Sequence, residues 1–294
     1  MNQPSNVRET PTMEVLRDSV KASDGNLKHL PPLLIEDEFP GYVVELFRSL
    51  RTKVLLSLYE QQNNSVAITS LESGAGKTTV SVNLALMMAQ RNIRTLLIDG
   101  DMRRGELHTL LGLRERPGLT EFLETRKPVT EESVLGLIQG RSDSNFRFIS
   151  SGRKIPHSSE LLSENGFRTL MHALRKAFDV VVLDLPPLGM AVDPAVVQDV
   201  VGKYVFVAQA GSTNMVDLSK KIEEYPAVSE KSLGIVLNRA SIDRKLSYYK
   251  YSKYYSVDEV GKNGKRHKRS KGQSDKQRKR SEKKEAKAMA EKSL

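Results

Sequence analysis

From Tyr42 to Asn238 the chain alternates short unbroken apolar runs with longer segments in which apolar residues recur every three or four positions. The runs are SVAITSL, RTLLID, FRFISS, DVVVLDL, YVFVAQA and LGIVLN. Runs this short and this uniformly apolar predict strands covered on both faces, because a strand with one wet face would alternate. Segments such as TTVSVNLALMMAQ and FRTLMHALRKA lie between them and predict helices. A further helix is predicted at YVVELFRSLRTKVLLSLYE, where Val43, Leu46, Phe47, Leu50, Val54 and Leu55 fall at helical spacing. Strands separated by helical crossovers predict an α/β fold, a doubly wound and mainly parallel sheet with helices on both faces.

The pattern holds only for the middle of the chain. Residues 1–38 are polar, contain Pro4, Pro11, Pro31 and Pro32, and predict a loosely ordered arm with one short helix. Residues 39–240 predict one principal domain. Residues 241–260 carry the stretch SYYKYSKYYS, with five of the nine tyrosines within eight positions: Tyr248, Tyr249, Tyr251, Tyr254 and Tyr255. Residues 261–294 are a low-complexity charged tail, expected to be disordered, in which SEKKEAKAMAEK has the composition for a transient helix.

Charge sharpens that division. The net charge of +10 comes entirely from residues 261–294, which hold 14 Lys and Arg against 4 Asp and Glu, whereas the rest balances at 32 against 32. The neutral body argues against a nucleic-acid-binding fold, and only the tail invites a polyanion. Absence of cysteine excludes a disulfide framework and thiol chemistry. With neither a signal-peptide pattern nor an apolar run of membrane-spanning length, the expected location is the cytoplasm.

The first strand runs into ESGAGKTT and then a helix. Small residues at Ser73, Gly74, Ala75 and Gly76 let backbone amides approach phosphate oxygens, and the helix N-terminus adds partial positive charge. Lys77 is placed to reach the β- and γ-phosphates, Thr78 to ligate magnesium, and Thr79 to complete the cradle. The full P-loop pattern would have glycine at position 71, where this chain has Leu71. The second strand ends in LLIDGDMRR, and Asp99 and Asp101 share one side of its mouth if the strand stays extended that far. Asp184 closes DVVVLD, the position of a magnesium-holding Walker B aspartate. A lone strand-end aspartate is more often a helix cap, but three at strand ends beside a phosphate loop favour phosphoryl transfer. These residues alone leave the acceptor open: water for an ATPase, a hydroxyl for a kinase.

Taken in order, the motifs resemble the bacterial tyrosine kinases of capsular and exopolysaccharide systems over roughly residues 41–258. ESGAGKTT is similar to the family's Walker A, LLIDGDMRR to its Walker A-prime with Asp99, Asp101 and Arg103, and VVVLDLPP to its Walker B. ELFRSLR is similar to its Glu-x-x-Arg-x-x-Arg element at Glu45, Arg48 and Arg51, which implies subunit contact in a ring. The resemblance implies ATP and Mg2+ as cofactors, with Lys77, Asp99, Asp101 and Arg103 catalytic and Thr78, Asp101 and Asp184 on the metal. Asp99 becomes the candidate to orient or deprotonate a tyrosine hydroxyl, and Asn238 a candidate for the adenine base, a strand-end cap being its other reading. The tyrosine cluster lies where the family carries its autophosphorylation sites.

The implied role is regulation of polysaccharide synthesis, chain length and export, at the inner face of the membrane. The implied partners are a membrane-embedded co-polymerase that activates the kinase, further copies of the chain, and a tyrosine phosphatase; the basic tail adds an anionic membrane surface. Three departures concern loop rigidity. Ser73 and Gly105 stand where proline is common, and PHSSELL replaces the commoner Asn-Pro form before Glu-Leu-Leu. Two alternatives remain at this point. One is a positioning ATPase of the ParA/MinD type, against which Glu72 occupies the place of its signature lysine; the other is a nucleotide-gated adaptor with a polyanion-binding tail.

Overall fold

The computed structural model describes residues 41–60, 63–140 and 144–240. The arm, the tyrosine cluster and the basic tail lie outside the described residues. In chain order the elements are α1 (Gly41–Tyr59), β1 (Ser65–Ser70), α2 (Lys77–Ala89), β2 (Thr95–Asp99), α3 (Leu107–Leu111), α4 (Leu119–Glu124), α5 (Glu131–Leu137) and β3 (Gln139–Gly140). They continue with β4 (Phe146–Ile149), α6 (Ser158–Ser163), α7 (Asn165–Ala177), β5 (Val180–Asp184), α8 (Asp193–Val196), a 3-10 turn (Val197–Asp199), β6 (Lys203–Gln209), α9 (Met215–Glu223), α10 (Pro226–Glu230) and β7 (Ser232–Asn238).

All six predicted strands form, in one seven-stranded sheet of order β3-β4-β2-β5-β1-β6-β7. Every pairing is parallel except that of β3 with β4. The doubly wound expectation is therefore met, and the unexpected seventh strand is a two-residue antiparallel edge.

Strand side chains alternate between two cores, as the pleat requires. Val66, Ile68, Leu97, Val182 and Val205 pack with α1, α2 and α3, while Ala67, Ile98, Val181, Leu183 and Phe206 pack under α4 to α10. Of the apolar positions expected on the inner face of α1, Val54 is fully buried, but Leu46 is 57% exposed. Between α1 and β7 runs an apolar groove of about 720 Å³ that reaches Gly76, Thr79 and Asn238. Among the described residues no helix is long and apolar enough to cross a membrane.

Strand order decides where chemistry can occur. β5 lies between β2 and β1, with Asp99 opposite Asp184 and Ile68 opposite Asp184. Three motifs far apart in sequence thus meet at the C-terminal edge of three adjacent strands, where open α/β sheets bind ligands.

Candidate active site

The loop between β1 and α2 turns through left-handed residues at Gly74 (φ 82°) and Gly76 (φ 96°). Such alternation points successive amides into a concavity suited to phosphate. Its far wall is β7: Asn238 Nδ2 donates to the Ala75 carbonyl at 2.9 Å. A Cβ on Gly76 would stand 2.0 Å from that same nitrogen, so glycine is required there for both conformation and space. A Gly76→Ala variant is expected to lose about 1–3 kcal/mol of stability. Thermal unfolding checks this, and an unchanged melting temperature would contradict the packing described.

Lys77 opens α2 and is buried. The next residue, Thr78, donates from Oγ1 to Asp184 Oδ2 at 2.8 Å, and one turn on Ser81 Oγ donates to Asp184 Oδ1 at 2.9 Å. Asp184 is thus held by two hydroxyls of one helix face. Burial pushes its carboxyl up to about 6, against the pull of Lys77 and the two hydroxyls. Asp99, 1% exposed, accepts from the backbone N–H of Asp101 at 3.3 Å and of Leu107 at 3.2 Å. Burial first, then the charges of Asp184 and Asp101, raise it well above the usual carboxylate range.

Raised carboxyls favour the protonated fold. In metal-free protein the contribution of Asp184 is fully present below its ordinary 3.8 and lost as pH rises through about 6. The difference amounts to about 3 kcal/mol. Relative to wild type, Asp184→Asn should therefore gain stability by about that amount between pH 4 and 7, as read from denaturant unfolding in a chelating buffer. A pH-independent difference would contradict the assignment.

Asp101 corrects one expectation. β2 ends at Asp99 rather than running on, so Asp99 and Asp101 do not share one side of an extended strand. Gly100 N still pairs with the Asp184 carbonyl at 2.8 Å, and the chain then turns at Asp101, whose carbonyl accepts from Arg104 N at 3.2 Å and Gly105 N at 2.6 Å. Asp101 Oδ1 then accepts from the backbone N–H of Arg103 at 3.3 Å and Arg104 at 3.0 Å. Gly105 finishes the turn, and a Cβ there would stand 1.9 Å from Ser151 Oγ. Arg104 Nη1 bridges to Ser73 Oγ of the phosphate loop at 3.3 Å, and Arg103 Nε donates to Ser158 Oγ at 3.0 Å.

Among the described residues no group of three His, Asp and Glu side chains could hold a metal alone. The hydroxyl of Thr78 joined to the carboxylate of Asp184 nevertheless suits magnesium, which takes one or two protein oxygens and completes its shell with phosphate and water. On α1, Arg48 pairs with Glu45 across one turn, and Arg51 Nη1 donates to the Met87 carbonyl at 3.3 Å. Within the chain these three groups are thus already partnered.

Sequence reasoning missed Ser81, Ser158 and Asp193. Ser81 had a signal, lying three residues after Thr78 on the same face of a helix. The other two had none.

A model of an AAA domain matches residues 63–224. CapB of Staphylococcus aureus is 31% identical over 222 residues, covering 76% of this chain and 95% of that protein. The tyrosine-protein kinase CpsD of Streptococcus pneumoniae is 32% identical over 209 residues, covering 70% and 88%. The solved kinase domain of the Escherichia coli tyrosine kinase ETK superposes with a TM-score of 0.60 at 32% identity, covering 68% of this chain and 78% of that one. The AAA-domain match takes in β1, the phosphate loop and the paired carboxylates together, and the relatives named as tyrosine-protein kinases support the kinase reading over the positioning ATPase. The chain belongs to the bacterial tyrosine-kinase family and is an ATP-binding protein-tyrosine kinase.

Proposed function

We propose that this kinase uses ATP and Mg2+ to phosphorylate its own Tyr248, Tyr249, Tyr251, Tyr254 and Tyr255, and thereby regulates the synthesis, chain length and export of capsular or extracellular polysaccharide. The observation that carries the reading is Lys77 on a glycine cradle beside the buried pair Asp99 and Asp184. Magnesium, when bound, neutralises charge on the transferring phosphate. Thr78 and Asp184 would hold it, with Asp101 at the edge. Lys77 binds the phosphates, and the groove at Asn238 has room for the base. Asp99, whose burial raises its proton affinity, takes the proton of the phenol. The phenolic oxygen forms its bond to the γ-phosphorus as the bond to the β-phosphate oxygen breaks, and ADP leaves.

Replacing all five tyrosines with phenylalanine tests the acceptor. Labelled ATP should mark the wild-type chain and leave the variant unmarked; equal labelling of both would overturn the reading. Transfer between subunits, through the α1 residues Glu45, Arg48 and Arg51, predicts that the five-Phe chain labels an added Lys77→Met chain.

In this reading a membrane-embedded co-polymerase activates the kinase at the inner face of the membrane, and a tyrosine phosphatase resets it. Five phosphotyrosines would add roughly −8 to −10 charges, about the size of the tail's surplus. Phosphorylation should then weaken binding to anionic vesicles.

A further inference from the structure

Asp193 opens α8 with its side chain wholly buried, and Ser158, the first residue of α6, is 1% exposed. Ser158 Oγ donates to Asp193 Oδ1 at 2.6 Å while accepting from Arg103 Nε at 3.0 Å. The second carboxylate oxygen, Asp193 Oδ2, has no hydrogen bond and lies 3.5 Å from Arg103 Nε. A buried carboxylate oxygen left so is costly unless a cation stands beside it. As a stabilising device this is a poor choice, because apolar residues of similar volume commonly do as well. The arrangement is better at fixing direction.

We propose that Asp193 and Ser158 are positioning residues for Arg103, gripping the guanidinium by its Nε edge so that its two Nη groups address the phosphate carried by the loop at Lys77. A guanidinium is planar and rigid, so fixing one edge fixes the bearing of the other. Apart from Nε, the Arg103 guanidinium makes no hydrogen bond to a described residue, and its side chain is 37% exposed. The turn that carries it abuts the phosphate loop through Arg104 and Ser73, and is pinned from behind by Ile155 N donating to the Met102 carbonyl at 2.9 Å. The grip therefore joins three segments: the turn after β2, the start of α6 and the start of α8. Its hydroxyl comes from PHSSELL, the stretch where this chain departs from the commoner form of its family. The inference rests on the loop at Lys77 being the phosphate cradle.

The test is steady-state ADP release by the full chain with magnesium and ATP, for Arg103→Ala, Asp193→Asn and the double variant. Arg103→Ala should lower kcat about 100-fold. Asp193→Asn should lower it about 10-fold with KM for ATP little changed, as misplacement of a reacting-site donor does. In the Arg103→Ala background Asp193→Asn should add nothing, since its effect passes through the arginine. Equal losses in both backgrounds, or a lowered melting temperature with unchanged kcat, would reduce Asp193 to a structural role and overturn the proposal. An undiminished Arg103→Ala enzyme would overturn it as well. Should Asp193→Asn fail to fold, Ser158→Ala takes its place, with recovery in Ser158→Thr expected; no loss in Ser158→Ala counts against the grip. ADP release does not depend on which tyrosine is labelled, so an unlabelled tail with intact coupling sinks the autophosphorylation reading and leaves this one standing.

Discussion

Lys77→Met should slow phosphoryl transfer by about 1000-fold or more, about 4 kcal/mol of transition-state stabilisation, while the fold persists. Lys77 is the first residue of a helix that begins at the phosphate loop, and it is buried, so its charge acts across little water. It also lowers the proton affinity of Asp184, so the substitution harms the carboxylate expected to hold the metal. Methionine keeps the length of the side chain and fits a buried position, so melting temperature should change far less than rate. ADP release and thermal unfolding of the two proteins check this. A variant within tenfold of wild type would mean that the loop does not bind the transferring phosphate.

Asp99→Asn is expected to cost about 100- to 10 000-fold in kcat, the range for loss of a general base. The asparagine keeps one acceptor oxygen, so it can hold only one of the two backbone N–H groups, Asp101 or Leu107, that the carboxylate oxygens now accept from, and thermal unfolding of the variant measures what the lost bond costs. What disappears is a carboxylate whose proton affinity is raised by burial and by Asp184 directly opposite on β5. A phenol holds its proton to pH near 10, so a base with raised affinity is better matched to it than an ordinary carboxylate. The pH profile of kcat distinguishes this from a purely structural loss. The acidic limb of the wild type should vanish in the variant, and an unchanged limb at lower amplitude would assign it to another group.

Much of this site is legible in the sequence. Each central strand is buried on both faces, so its apolar run was unbroken, and Asp99 and Asp184 followed as the first charges at the ends of such runs. β3 is not legible, because Gln139 and Gly140 carry no strand pattern and are placed by pairing with Phe148 and Arg147 and by the Gln139 side chain bonding the Arg114 backbone. The turn at Asp101 is not legible in the apolar pattern because the turn's own hydrogen bonds decide it, with Arg104 N and Gly105 N donating to the Asp101 carbonyl and Arg103 N and Arg104 N to its carboxylate. Leu46 shows the same limit on α1: helical spacing put it on the apolar face, and the packing left it more than half exposed. Asp193 and Ser158 were illegible for the opposite reason. A buried charge at a helix start looks like a cap until the arginine it meets is seen.

The most direct test of the account is mass spectrometry of residues 245–258 after incubation with magnesium and ATP, comparing wild type with Lys77→Met. Phosphate on the tyrosines of the wild type and none on the variant is the predicted result. An unmodified segment in wild type that still turns over ATP, with and without fragments of a membrane partner, would contradict the claim that these tyrosines are the kinase's own substrate.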